Sequence, residues 1–296
     1  MADWPISGDG QKFETLGATT VSTDGTIINS GAGFGIYGSP WVTIGTASIH
    51  AESFLYTAFQ AAAATEYMID IGIGATSGTV KTIVQKLYVN TAGATLRGGH
   101  TIHVPIGIRS GELIWIRFAA NITGVNTVSH VITLIGTGFR PSRSLGTCVT
   151  YNVLGTVLDG TAADGIPTSA FVFDPGAVAD VYSAWTAITT VASPSTTTLV
   201  RPISMAMFAF VQGTADATST SARWTVDIGV GAGPTPIFES ISVVVNSISD
   251  HVQQPFFGPV PLSLPAGASV SARVKINTAI GTTTYRRLGV IMYGIS

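Results

Sequence analysis

Charge is scarce in this chain. Lysine and arginine together number 14, aspartate and glutamate 16, and only 10% of the 296 residues are charged, against roughly 25% in an average domain. Disorder driven by charge repulsion is excluded, because 46% of the residues are hydrophobic and can fill cores. The net charge is -2 and the basic residues are scattered, so no stripe neutralises a phosphate backbone and no nucleic-acid partner is expected. The single cysteine, Cys148, has no partner for an internal disulfide, which fits folding in a cytoplasm. Long apolar runs are also missing. A spanning helix needs about 20 mostly apolar residues, yet Phe118 to Phe139, among the longest uncharged stretches, is broken by Asn121, Thr123, Gly124, Asn126, Ser129 and His130, so no membrane partner is expected. The start, Met1 to Gly8, has neither the basic nor the apolar region of a secretory signal.

What is there is one module written twice. Tyr67-Met68-Ile69-Asp70-Ile71-Gly72-Ile73-Gly74-Ala75 returns as Trp224-Thr225-Val226-Asp227-Ile228-Gly229-Val230-Gly231-Ala232. At an offset of about 156 residues, too long for a solenoid repeat, Val104-Pro105-Ile106-Gly107-Ile108 with Gly111 and Arg117 matches Val260-Pro261-Leu262-Ser263-Leu264 with Gly267 and Arg273. Tyr37 and Trp41 answer Tyr182 and Trp185, and Leu134-Ile135-Gly136 is set against Met292-Tyr293-Gly294. Each copy is therefore read as a whole domain.

Within each copy, Ile69, Ile71 and Ile73 alternate with Asp70 and Gly72, and Val226, Ile228 and Val230 with Asp227 and Gly229. This is the period of a half-buried strand. Glu112–Phe118, Ser269–Ile276, Val128–Ile135 and Arg287–Tyr293 alternate likewise between Gly and Pro clusters. Phe54 to Glu66 is Ala-rich, but its counterpart Leu199 to Gln212 holds Pro202, so strands are predicted in both. The expected fold is all-β: two tandem antiparallel β-sandwiches of jelly-roll type from an internal duplication. The expected division is an extended N-terminal arm over 1–37, a first sandwich over 38–140, a linker and lead over 141–181, and a second sandwich over 182–296. The Greek-key order is left open.

No residue set predicts catalysis. His100 and His103 are close in sequence but face opposite sides of a strand, and His50, His130 and His251 stand apart, so structural or solvent-facing roles are expected and neither metal nor cofactor is. Asp70 and Asp227 recur at one position in separate domains, which suits local backbone bonding better than a glycosidase pair. Gly72 to Gly78 lacks the Gly-Lys-Ser/Thr ending of a phosphate loop and reads as a hairpin connection. Trp41 and Trp185 are expected to plug the two cores. Trp4 and Pro5 in the Gly-rich lead, together with Phe13, are candidates for contact with a partner subunit.

The repeated aromatic, Ile/Val-Asp-Ile-Gly-Ile/Val-Gly-Ala block, followed by Val-Pro-Ile/Leu-x-Ile/Leu-x-x-Gly, resembles modules of virion structural proteins of tailed bacteriophages. The resemblance covers both halves from Trp41 and Trp185 onward. It implies a jelly-roll protein made in the host cytoplasm and placed on the virion as capsid decoration, head fibre or tail component. Its partners would be other virion proteins and further copies of itself, a trimer being one arrangement. No reaction is expected. The competing expectation is a carbohydrate- or host-receptor-binding module contacting a surface glycan, since fold alone does not decide function.

Overall fold

A computed structural model of the chain describes residues 12–17, 25–33, 35–60, 66–90, 100–120, 124–136, 151–155, 172–188, 198–212, 222–245, 256–279 and 288–296. It is built of strands; the one helical turn among these residues is a 3-10 turn at Ser77–Thr79. The first module holds β1 (Lys12–Leu16), β2 (Thr26–Asn29), β3 (Val42–Thr46), β4 (Ser53–Gln60), β5 (Glu66–Ile73), β6 (Lys81–Asn90), β7 (His100–Val104), β8 (Leu113–Ala120) and β9 (Thr127–Gly136). The second holds β10 (Tyr151–Leu154), β11 (Val172–Phe173), β12 (Thr186–Ala187), β13 (Ile203–Gln212), β14 (Ala222–Val230), β15 (Thr235–Val245), β16 (Phe256–Leu264), β17 (Val270–Ile276) and β18 (Leu288–Ile295).

The order that sequence left open is a jelly roll, made twice. Sheets β1-β9-β4-β7 and β3-β8-β5-β6 enclose the first core, and β10-β18-β13-β16 and β12-β17-β14-β15 the second. All pairings are antiparallel and nested: β5 with β6, β4 with β7, β3 with β8 and β1 with β9. Such nesting is one long hairpin folded over on itself, with its two halves closing the sandwich. Apolar residues at alternate positions drive the closure. Ile69, Ile71, Ile114, Ile116 and Phe118 face inward from one sheet, and Phe54, Tyr56, Ile132 and Leu134 from the other. Each large side chain buried this way contributes about 1.5–3 kcal/mol. The connection after Gly72 is a hairpin turn between β5 and β6, as its composition predicts.

Two readings change. The lead over 1–37 is not wholly an arm outside the first sandwich, because β1 and β2 both pair with β9 and complete its sheet. Strands β10 and β11, from the stretch read as linker, do the same on β18. An edge strand with unpaired backbone groups takes up whatever extended segment precedes the domain, and the duplication therefore includes the leads. The last matched block also shifts by two residues. Ala206 pairs with Val260 and Gly294, while Phe54 pairs with Val104 and Leu134, so Met292-Tyr293-Gly294 corresponds to Ile132-Thr133-Leu134.

The two sandwiches are stacked. On β13, Ala206, Phe208 and Phe210 belong to the second core, while Met207 and Ala209 belong to the cluster of the first, with Met205 packed against it. On β18, Leu288, Val290 and Met292 face the second core, and Ile291, Tyr293 and Ile295 face the first sandwich. There they join Met68 and Tyr88, which point out of the β3-β8-β5-β6 sheet. Every residue of β18 is thus buried, whereas its counterpart β9 alternates between buried and half-buried. The Tyr293 hydroxyl pins this junction: it donates to the Lys86 carbonyl at 2.8 Å and accepts from the Tyr88 N–H at 2.8 Å. Burial raises its pKa above the usual phenol value, so it stays a neutral donor. Tyr293→Phe strands both backbone groups and is expected to cost about 2 kcal/mol, measured as a lowered urea midpoint.

Candidate functional site

The recurrent aspartates sit at a β-bulge in each module. Opposite Asp70 and Asp227 the register slips, between Ile69 and Ile71 and between Val226 and Ile228. The extra residues there, Lys86 and Ser240, lie at φ 52° and 59°, a left-handed conformation that costs a non-glycine residue about 1 kcal/mol or more. Each offers an N–H that the ladder no longer uses. The carboxylate supplies the partner: Asp70 Oδ1 accepts from Lys86 N–H at 2.9 Å, and Asp227 Oδ1 from Ser240 N–H at 2.8 Å. The other oxygen holds an arginine from the facing strand. Arg117 Nε and Nη2 reach Asp70 Oδ2 at 3.0 and 2.8 Å, and Arg273 Nε and Nη2 reach Asp227 Oδ2 at 2.9 and 2.8 Å.

Two aromatic rings cover each guanidinium. Arg117 lies 4.9 Å from the Tyr37 ring centroid and 4.5 Å from that of Trp41; Arg273 lies 4.4 Å from Tyr182 and 4.8 Å from Trp185. Cation–π contact of this kind adds about 0.5–2 kcal/mol per ring. Trp41 and Trp185 therefore do not plug the cores, contrary to expectation. They are half-buried on the outer faces of β3-β8-β5-β6 and β12-β17-β14-β15, because their arginine anchors point outward there, while fully buried Tyr67 and Trp224 occupy the core positions. Trp185 packs closely over Gly229: a Cβ there would stand 3.0 Å from two of its ring carbons. Gly229→Ala should lift that ring and cost about 1–2 kcal/mol, read by denaturant titration.

The two copies differ in the face beside the cluster, which the second sandwich covers next to Asp70, whereas the ion pairs are about equally exposed, Arg117 at 36% and Arg273 at 30%. Next to Asp70, burial first, then the Asp70 charge, raises the Tyr37 pKa, with a further contribution from Tyr293, and burial lowers that of Lys86. The Tyr182 hydroxyl donates to Asp227 Oδ1 at 3.1 Å, and Lys275 lies 4.8 Å from its ring. Where the covered face has Met68, Tyr88 and Ala119, the open one has Thr225, Ser242 and Lys275.

Among the other sequence candidates, Phe13 lies on β1 with 61% exposure, on the outer side of its sheet opposite Ile135. Trp4 and Pro5 lie outside the described residues, as do His251 and Cys148. His103 is exposed on β7, and His50 accepts from the Ser110 N–H at 3.3 Å. Among the described residues no three histidine, cysteine or acidic side chains converge on one point. His130 is the one the sequence undersold. It is fully buried in the first core, its Nδ1 shares a 2.6 Å hydrogen bond with the Tyr56 hydroxyl, and burial drives its pKa down to about 3. Strict alternation with Val128, Ile132 and Leu134 already places it on the inner face.

No protein-family model matches the chain, and no curated protein does. Among solved structures, it is similar over 97% of its length to 91% of the tandem CBM22-1-CBM22-2 domains of Paenibacillus barcinonensis Xyn10C, at 8% identity and a TM-score of 0.24. A putative secreted protein from Parabacteroides distasonis is matched over 98% of this chain and 90% of that one, at 8% identity and a TM-score of 0.21. The infectious bursal disease virus Gt strain structure is matched over 97% and 75%, at 11% identity and a TM-score of 0.20. Likenesses this low carry no argument, and the strand pairings define the fold by themselves.

Proposed function

We propose that the chain is a non-enzymatic structural protein of a phage particle, folded in the host cytoplasm and mounted on the virion among other virion proteins. The observation that carries this reading is the use of a whole sheet face as a docking surface. The outer side of β13 and β18 is apolar and is buried against a neighbouring sandwich, and the same architecture lets sandwich faces meet other subunits. The polar side chains that attract attention in the sequence serve the fold. Both oxygens of Asp70 and of Asp227 are engaged by backbone and arginine, which leaves them no part in a reaction.

A surface-glycan-binding role is the second reading, and one observation favours it: Tyr182 and Trp185 stand half-exposed beside Lys275 on an uncovered face. Against it, Arg273 lies against both rings, and Asp227 has no free oxygen to orient a sugar hydroxyl. Quantitative mass spectrometry of purified particles from a producing lysate separates the readings. The structural one expects the chain in fixed proportion to other virion proteins. Recovery in the soluble fraction alone, with glycan binding that Trp185→Ala abolishes, would favour the second.

A further inference from the structure

We infer that two copies of the chain pair back to back through the outer face of the β1-β9-β4-β7 sheet. The inference names the partner for one sheet face and rests on the structural reading above. Three observations carry it.

First, this face is the counterpart of the one that docks inside the chain. By pairing register Leu55 stands where Met207 does, Val131 where Ile291 does, and Ile135 where Ile295 does, so an aliphatic centre is present on both. In the second sandwich it is buried; in the first it is half-exposed, with Phe13 at 61% and Ile27 at 51% exposure beside it.

Second, the hydroxyl and amide groups of three cross-strand pairs on the face are matched to one another, with His103, exposed on β7 opposite Leu55, outside those pairs. Thr15 Oγ1 lies 3.3 Å from Thr133 Oγ1, Thr57 Oγ1 3.0 Å from Thr101 Oγ1, and Thr127 donates to Asn29 Oδ1 at 3.0 Å. The outward positions of β1, β2, β4, β7 and β9 hold no Asp, Glu, Lys or Arg. Covering such a face leaves few donors or acceptors without partners, which is the main cost of burying a polar surface.

Third, the other open face does not suit it. A head-to-tail stack would set this sheet on β12-β17-β14-β15 of the next copy, where Thr225, Ser242 and Lys275 replace the Met68, Tyr88 and Ala119 of the internal junction. Arg223 and Lys275, beside the Asp227–Arg273 ion pair, make that face cationic, and the Tyr293 latch has become Thr133. An uncharged sheet face meeting its own copy about a two-fold axis gives a closed, isologous dimer.

Sedimentation velocity of the full chain over a concentration series tests this. The expected result is reversible association that stops at twice the chain mass. Val131→Lys and, separately, Leu55→Lys place a charge on the outer face and should return the chain to a monomer that keeps the urea midpoint the unmodified chain shows at concentrations where it is itself monomeric, whereas Lys275→Glu on the opposite sandwich should leave the dimer intact. A monomer at every concentration, a trimer, an open-ended polymer, or a dimer that survives both lysine variants would overturn the pairing. A monomer in solution that is nonetheless present in fixed proportion on particles removes this contact and leaves the structural reading standing. Absence from particles removes the structural reading whatever the mass.

Discussion

Lowering the pH from 7 to 5 should destabilise the protein by about 2 kcal/mol through His130 alone. The imidazole titrates near 6.5 in an unfolded chain and near about 3 in the fold, where burial opposes its charge. Between those values the unfolded state holds a proton that the folded state does not, so stability falls as pH falls. The loss begins near pH 6.5, grows by about 1.4 kcal/mol per unit, and is complete below the folded value. Protonation would place a charge in a core lined by Tyr56, Phe118 and Tyr67, where Nε2 has no partner among the described residues. The second sandwich shows the way to remove it, because by register it carries Phe208 and Val290 where the first carries Tyr56 and His130. The double variant Tyr56→Phe/His130→Val exchanges both hydrogen-bonding partners for apolar ones, a change that is close to neutral when shape is kept. It should cost no more than about 1–2 kcal/mol at pH 7 and should lose most of the acid sensitivity between pH 6.5 and 4. Urea titrations of both proteins at matched pH values decide it: parallel pH profiles would sink the assignment.

Removing either bulge aspartate is expected to cost about 3 kcal/mol, at the lower end of the penalty for deleting one partner of a buried ion pair. Asp227→Ala leaves Arg273 without its counter-ion and Ser240 N–H without its acceptor in a left-handed turn. The arginine side chain keeps 30% exposure, and the solvent it meets holds the penalty down. Arg273→Met should be milder, because the carboxylate keeps the Ser240 N–H and the Tyr182 hydroxyl. Asp70→Ala carries an added consequence. The Lys86 bulge it supports offers the carbonyl that Tyr293 holds, so this variant should also loosen the junction between the sandwiches, whereas Asp227→Ala should not. Comparison of the two by urea unfolding, with amide exchange at Tyr88 as a reporter of the junction, separates the local loss from the loss of docking. Equal exchange in both variants would contradict the coupling.

Much of this was legible in the sequence, and the parts that were not have physical reasons. Alternation of Ile69, Ile71 and Ile73, or of Val226, Ile228 and Val230, gives strands directly, since one buried face leaves its period in the residues. The paired Asp and Arg positions were visible as repeats, but their bulge was not, because a single extra residue in a neighbouring strand has no signature of its own. The docked sheet did leave a trace. Met205-Ala206-Met207-Phe208-Ala209-Phe210 is apolar without interruption, while Ser53-Phe54-Leu55-Tyr56-Thr57-Ala58 carries Ser53 and Thr57 on its outward positions, which is the difference between a strand buried on both faces and one buried on a single face. The core role expected of Trp41 and Trp185 failed because it rested on recurrence; an outward arginine able to capture the ring is a tertiary fact. Lys12–Leu16 carries no strand signal of its own, because five residues in a Gly-rich lead form a strand only when β9 is there to pair with them.

The central claim is that the two jelly rolls make one stacked body, joined through the outer faces of β13 and β18. Fluorine-19 spectra of the fluorotryptophan-labelled chain in a urea series test it most directly, because Trp41 and Trp115 report on the first sandwich and Trp185 and Trp224 on the second. These four, of the five tryptophan resonances of the chain, should change over one shared transition, which Tyr293→Phe moves to lower urea. Two transitions in the unmodified chain, with one pair of tryptophans unfolding while the other remains native, would contradict it.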